Sequence, residues 1–150
     1  TLEYSTDNTF ATGVTTLNPA GSATSQPITG LSSNTTYYFR LKAVNAGGDS
    51  PFVSLANPVL TLPGPPTNLA VADGTLTQTG FTLTWAAPGG TLTGYQLRYS
   101  TNADPSGAAP VAVGAGETSF IVTGLSPFTT YYFQLTALNG SGPSLASAVL

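Results

Sequence analysis

The chain has 150 residues, of which 41% are hydrophobic and only 6% charged, with a formal net charge of −3. That is enough apolar material for a packed core and excludes a disordered chain, which would combine low hydrophobicity with high charge. Three basic residues exclude a nucleic-acid footprint, because affinity there comes from neutralising phosphates. The absence of Cys and His removes disulfides, thiolate chemistry, and the commonest general base and metal ligand.

With so few charges, solubility must rest on Thr, Ser, Asn and Gly. No apolar run approaches the roughly 20 residues needed to span a bilayer. The lack of Cys fits a microbial surface protein better than an animal secreted one.

Taken from the N-terminus, the chain repeats itself. Leu2-Glu3-Tyr4-Ser5-Thr6 returns as Leu97-Arg98-Tyr99-Ser100-Thr101, 95 positions on. Residues 30–45 return as residues 124–139, 94 positions on, with one indel between the two blocks. A period near 95 is too long for a solenoid and matches one small sandwich domain. The copies meet at Leu62-Pro63-Gly64-Pro65-Pro66, a proline-rich join expected to be short and stiff.

In the second copy the pattern is β throughout. Phe81, Leu83 and Trp85 alternate with Thr82 and Thr84, and Tyr95, Leu97 and Tyr99 alternate with Gln96 and Arg98. Phe120 and Val122 mark a further short strand. Tyr131, Phe133, Leu135 and Ala137 alternate with Tyr132, Gln134, Thr136 and Leu138. A period of two puts each first set on one face, here the core face. Turn-rich segments at 72–74, 88–90, 102–110 and 140–143 separate the runs. The spacing predicts an all-β chain of two-sheet antiparallel sandwiches.

These motifs in order resemble the fibronectin type III family. The matching features are Pro65 to Val71, Phe81 to Pro88 with its core Trp85, Gly94 to Tyr99, and Gly124-Leu125 leading into Tyr131. The resemblance covers residues 64–150 well and 1–62 in part. It implies tandem immunoglobulin-like modules: a partial one at 1–62, a linker at 63–66 and a complete one at 67–150. It also implies that Tyr37 and Tyr131 are corner tyrosines whose hydroxyls tie back to the upstream backbone.

Thr1 aligns near Gln96, so the first module is expected to lack its first two strands and the start of its third. Either the parent chain supplies these strands, or a neighbouring subunit supplies one in trans, which would make a filament. Gln26 stands where the second copy has Phe120, and Ser33 where it has Pro127. Leu150 aligns with Leu60, which predicts an essentially complete last strand.

No catalytic, cofactor-binding or metal-binding residues are expected. The six acids are not placed by any second motif, and no run alternates oxygen ligands like a calcium loop. The loops at 45–51 and 139–144 contain no Arg, so the family's Arg-Gly-Asp adhesion motif is not carried over. Asn34 and Asn139 match the N-glycosylation pattern in expected loops. Tyr38 and Tyr132 should face away from the core, as contact aromatics or as cross-strand packing.

The resemblance implies a non-catalytic spacer or adhesion module of a secreted or surface protein. A self-assembling filament is a variant of that role, and an accessory linker module of a polysaccharide-degrading enzyme is the alternative. Expected partners are neighbouring copies, flanking domains and cell-surface glycans. Neither nucleic acid nor a membrane span is expected.

Overall fold

The computed structural model describes residues 1–150, which form two compact units, Thr1–Thr61 and Leu62–Leu150. Each is described by itself.

The second unit is a sandwich of two antiparallel sheets. Strands β8 (Thr67–Val71), β9 (Phe81–Ala86) and β12 (Ser119–Val122) make a three-stranded sheet in the order β12-β9-β8. Strands β10 (Gly94–Ser100), β11 (Val111–Val113), β13 (Tyr132–Asn139) and β14 (Gly142–Pro143) make a four-stranded sheet in the order β11-β10-β13-β14. The period-two pattern is realised along β9 and β13, whose residues alternate buried and half-buried. Leu83, Leu97, Leu135 and Ala137 are sealed from solvent, each 0% exposed. Burying one such leucine contributes about 1.5–3 kcal/mol.

Aromatic edges lock the two sheets together. Trp85 meets Tyr95 edge-on at 5.4 Å, and Phe81 meets Phe133 edge-on at 5.1 Å. Gly80 sits where the chain passes close under β12. A side chain there would meet the Val122 carbonyl oxygen at 2.3 Å, so only glycine fits.

Two expectations about this unit are refined. The loop at 102–110 contains one 3₁₀ turn, Pro105–Gly107, capped by Asp104, which accepts from the Ser106 N–H at 2.9 Å. The last segment is a regular ladder at Gly142–Pro143 and stays paired with β13 to Leu150, which exchanges backbone hydrogen bonds with Phe133 at 3.1 and 3.0 Å. Beyond it, serine hydroxyls enter the ladder. Ser144 and Ser147 Oγ accept from the N–H groups of Ala137 and Leu135, both at 3.0 Å. Their own N–H groups donate back to the Ala137 and Leu135 carbonyls.

The first unit has one five-stranded sheet and a separate two-stranded one. Strands β1 (Leu2–Ser5), β2 (Thr15–Leu17), β3 (Thr36–Leu41) and β6 (Val53–Ser54) lie in the order β2-β1-β3-β6, and β7 (Val59–Leu60) also pairs with β3. The two-stranded sheet is a small hairpin, β4 (Val44–Asn45) with β5 (Gly48–Asp49).

The register is that of the second unit's four-stranded sheet. Leu2 faces Leu41 and Tyr4 faces Phe39, as Leu97 faces Leu135 and Tyr99 faces Phe133. Finer details recur too. The Ser32 N–H donates to the Tyr37 hydroxyl at 3.0 Å, and the Ser126 N–H to the Tyr131 hydroxyl at 3.2 Å. Ser50 Oγ accepts from the Ala43 N–H as Ser144 Oγ does from Ala137. Thr35 donates to the Ser33 carbonyl as Thr129 does to that of Pro127. The Ser33/Pro127 difference is harmless there because the acceptor is backbone.

Residues 25–28, which align with β12, form no strand in the first unit. In the second unit β12 is held by β9; the first has no counterpart of β9. Pro27, where the second copy has Ile121, also lacks an N–H to donate.

Leu135→Ala should lower unfolding stability by about 2–5 kcal/mol, the cost of a buried cavity. The equivalent Leu41→Ala should change stability by about 0.5 kcal/mol or less, because Leu41 is 52% exposed. Urea unfolding checks both, read by Trp85 fluorescence for the second unit and by circular dichroism for the first.

Candidate interaction surface

The two units differ most at equivalent apolar positions. Leu97 and Leu135 are fully buried, whereas Leu2 is half-buried and Leu41 is 52% exposed. Phe133 is 2% exposed, whereas its counterpart Phe39 is half-buried. In the second unit β8, β9 and β12 cover this face. In the first an apolar groove of about 420 Å³ is lined by Leu2, Phe39, Leu41, Ala43, Val53 and Leu55. Val53 and Leu55 on its rim are 73% and 56% exposed. Tyr4 packs beside it, 5.8 Å from Phe39 and 6.0 Å from Tyr37.

The charges of the first unit are paired off. Arg40 donates from Nε and Nη2 to Glu3 Oε2, at 2.8 and 2.7 Å. Its guanidinium lies over two rings, 4.2 Å from the centre of Phe10 and 4.1 Å from that of Phe52. Lys42 pairs with Asp49. These cations therefore hold loops onto the sheet and offer little to an external anion. Phe10 and Phe52 come from loops without periodicity.

Asp7 and Asp104 organise loops by the same chemistry. The Asp7 carboxylate accepts from the Thr9 hydroxyl and N–H and from the N–H groups of Ala11 and Thr12. These donors, Thr9 foremost, pull its pKa down from 3.8 to about 2. The Ser106 N–H likewise lowers that of Asp104. No three acidic groups converge in a way that could hold a metal ion.

The structure spreads the expected site residues apart. Tyr38 and Tyr132 are half-buried and alternate with the core set, facing Ser5 and Ser100 across the sheet. Asn34 sits half-buried in a turn at φ +49°. Asn139 corrects its expectation: it ends strand β13 rather than lying in a loop, and is 6% exposed. Its side-chain oxygen accepts from the Ser141 and Gly142 N–H groups, closing the turn. That side chain is part of the fold.

One exposed aromatic lies outside the period-two pattern. Phe128 is fully exposed and holds φ +55°, a left-handed backbone that bulky residues rarely adopt. It borders a groove of about 410 Å³ with Val71, Leu76, Phe81, Tyr131 and Leu150. Its counterpart is Asn34, a residue suited to that conformation. The available signal was this Asn/Phe difference within the repeat.

The fibronectin type III domain model matches residues 64–150. The chain belongs to the fibronectin type III family. Modules of this family are generally non-catalytic. Over 119 residues, 77% of the chain, it is 32% identical to a "Tyrosine-protein phosphatase Lar-like" of Caenorhabditis elegans. Over 154 aligned positions, 92% of the chain, it is 33% identical to "Chitinase A1" of Niallia circulans. It spans 5% and 21% of those relatives' lengths. A solved two-domain fibronectin type III segment of chicken tenascin shares the fold, with TM-score 0.60 and 21% identity over 99% of this chain and 81% of that one.

Two outcomes follow. Because the folded pKa of Asp7 lies below its ordinary value, its ionisation favours the folded loop above pH about 4, an effect that fades as pH falls towards 2. A carbon-detected carboxylate titration should place its midpoint near 2; a midpoint at 3.8 would mean that the loop hydrogen bonds are absent in solution. Phe128→Asn should raise stability by about 1 kcal/mol by relieving the left-handed backbone. The urea midpoint should move up with unchanged slope.

Proposed function

We propose that this chain is a structural spacer or adhesion segment of a larger secreted or surface protein. In this reading residues 1–62 are a second, partial fibronectin type III module lacking its first two strands and the start of its third. Residues 63–66 are a linker, and residues 67–150 are the complete module. The repeated hydrogen-bond frame carries the reading, because the same corner tyrosine, ladder serine and cross-strand register recur in both units. Sequence spent twice on one scaffold, with Arg40, Lys42, Glu3 and Asp49 in ion pairs and Asp7 and Asp104 tied to their own loops, suits a part whose work is mechanical. The partners are flanking domains, further copies and cell-surface glycans, and a self-assembling filament is a variant of the same role.

A second reading is an accessory linker module of a secreted polysaccharide-degrading enzyme. The similarity to Chitinase A1 favours it, extending over 92% of this chain.

Electron microscopy of the parent protein, with light scattering on the same sample, separates these roles. A spacer gives monodisperse single rods. Fibres with an axial repeat commensurate with the modules support the filament variant. A catalytic domain carried on the same polypeptide favours the enzyme-linked reading.

A further inference from the structure

The tip of the β13–β14 hairpin carries chemistry that the surfaces above do not use. Asn139 is followed by Gly140, and no other asparagine of the chain precedes a glycine. In such a pair the glycine nitrogen can attack the asparagine side chain, because glycine has no Cβ to crowd the approach.

Both copies of the repeat close this turn with the same asparagine oxygen. In the second unit the Asn139 side-chain oxygen accepts from the Ser141 N–H at 2.9 Å and the Gly142 N–H at 3.2 Å. In the first the Asn45 oxygen accepts from the Gly47 N–H at 2.7 Å. Asn45 pairs with Gly48 as Asn139 does with Gly142. The residue after Asn45 is Ala46, so the turn also closes with a methyl group at that place. The hairpin does not demand glycine at 140, and glycine there is what makes the pair reactive.

The folded hairpin opposes the reaction in two ways. The attacking nitrogen must come over the face of the side-chain amide, and turning the amide to present that face breaks both hydrogen bonds. Water must also reach the site, and Asn139 is 6% exposed. The strand pair holds the tip further, since Leu138 faces Pro143 and Ser144 Oγ accepts from the Ala137 N–H at 3.0 Å.

We propose that Asn139 is a site of spontaneous deamidation that the folded hairpin holds shut, so that conversion there records how often the hairpin opens. In the open state the Gly140 nitrogen bonds to Asn139 Cγ and the Cγ–Nδ2 bond breaks. The Gly140 proton leaves with the amide nitrogen as ammonia, and a cyclic imide remains. Solvent water then adds at one of the two imide carbonyls. Addition at Cγ restores the main chain and leaves aspartate, whose carboxylate still accepts from Ser141 and Gly142. Addition at the main-chain carbonyl leaves isoaspartate. That product routes the chain through the side chain, lengthens it by a methylene and loses the pairing with Gly142. This chemistry does not depend on whether the chain is a spacer.

The test incubates the 150-residue chain at neutral pH, folded and in urea, beside a synthetic peptide of residues 134–146. Peptide mapping by mass spectrometry reads amide-to-acid conversion at Asn139, and electron-transfer fragmentation separates isoaspartate from aspartate. Opening that is fast beside the chemistry makes the folded rate follow the open population. Conversion should therefore be at least about tenfold slower in the folded chain than in the peptide, and should match the peptide in urea. Gly140→Ala should slow conversion in urea by a similar factor, and Ala46 in the first copy shows that the turn accepts it. Ser144→Ala removes a ladder hydrogen bond behind the tip, so it should speed conversion in the folded chain and leave the rate in urea unchanged.

Three results would overturn the proposal. Equal rates in the folded chain and the peptide would mean that the hairpin does not hold the site shut. No conversion at Asn139 in the peptide or in urea would mean that the pair is not a site. A folded-chain rate unmoved by Ser144→Ala would mean that conversion does not report opening of the hairpin.

Discussion

Everything in the second unit depends on β13 being covered on one face. Its inward side chains, Phe133, Leu135 and Ala137, are sealed beneath the opposite sheet, while its backbone is paired with β10 on one side and with the last segment on the other. A strand in that position cannot shift register by one residue without turning its entire core set towards water. The corner tyrosine, the tight approach at Gly80 and the serine hydroxyls in the final ladder all fit around that fixed strand.

The first unit repeats part of the same frame. Register, corner tyrosine and ladder serine survive, because they are made within one sheet and its adjoining turns. Burial does not survive, because it needs a second sheet. Hydrogen bonding and hydrophobic closure are thus separable in this fold. Local pairing sets the geometry of a sheet, and burial of its apolar face supplies most of the stability.

The polar groups follow a consistent division of labour. Asp7, Asp104 and Asn139 each bind backbone N–H groups of their own loops, and Arg40 bridges Glu3 and two aromatic rings. A chain with 6% charged residues has few to spare, and several of them stabilise turns. The surface features left over are apolar: the groove over Leu2 and Leu41, and the ridge at Phe128.

The sequence by itself determined the fold class, the family, the 94-residue repeat in the 30–45 block and the core face of each long strand. Alternation with period two and a repeated corner motif are local signals, and they survive without knowledge of neighbours. Only the tertiary structure decided what became of the exposed side chains. Asn139 looked like a loop acceptor until the strand was seen to reach it and its side chain to close the turn. Phe10 and Phe52 reach Arg40 from loops whose paths no periodicity encodes, and the left-handed backbone of Phe128 leaves no mark in composition. The bare face of the first unit became a surface of defined shape only when the register of β1 and β3 was seen to match that of β10 and β13. Contacts between residues far apart in the chain depend on where the backbone returns, and that is fixed by packing rather than by local pattern.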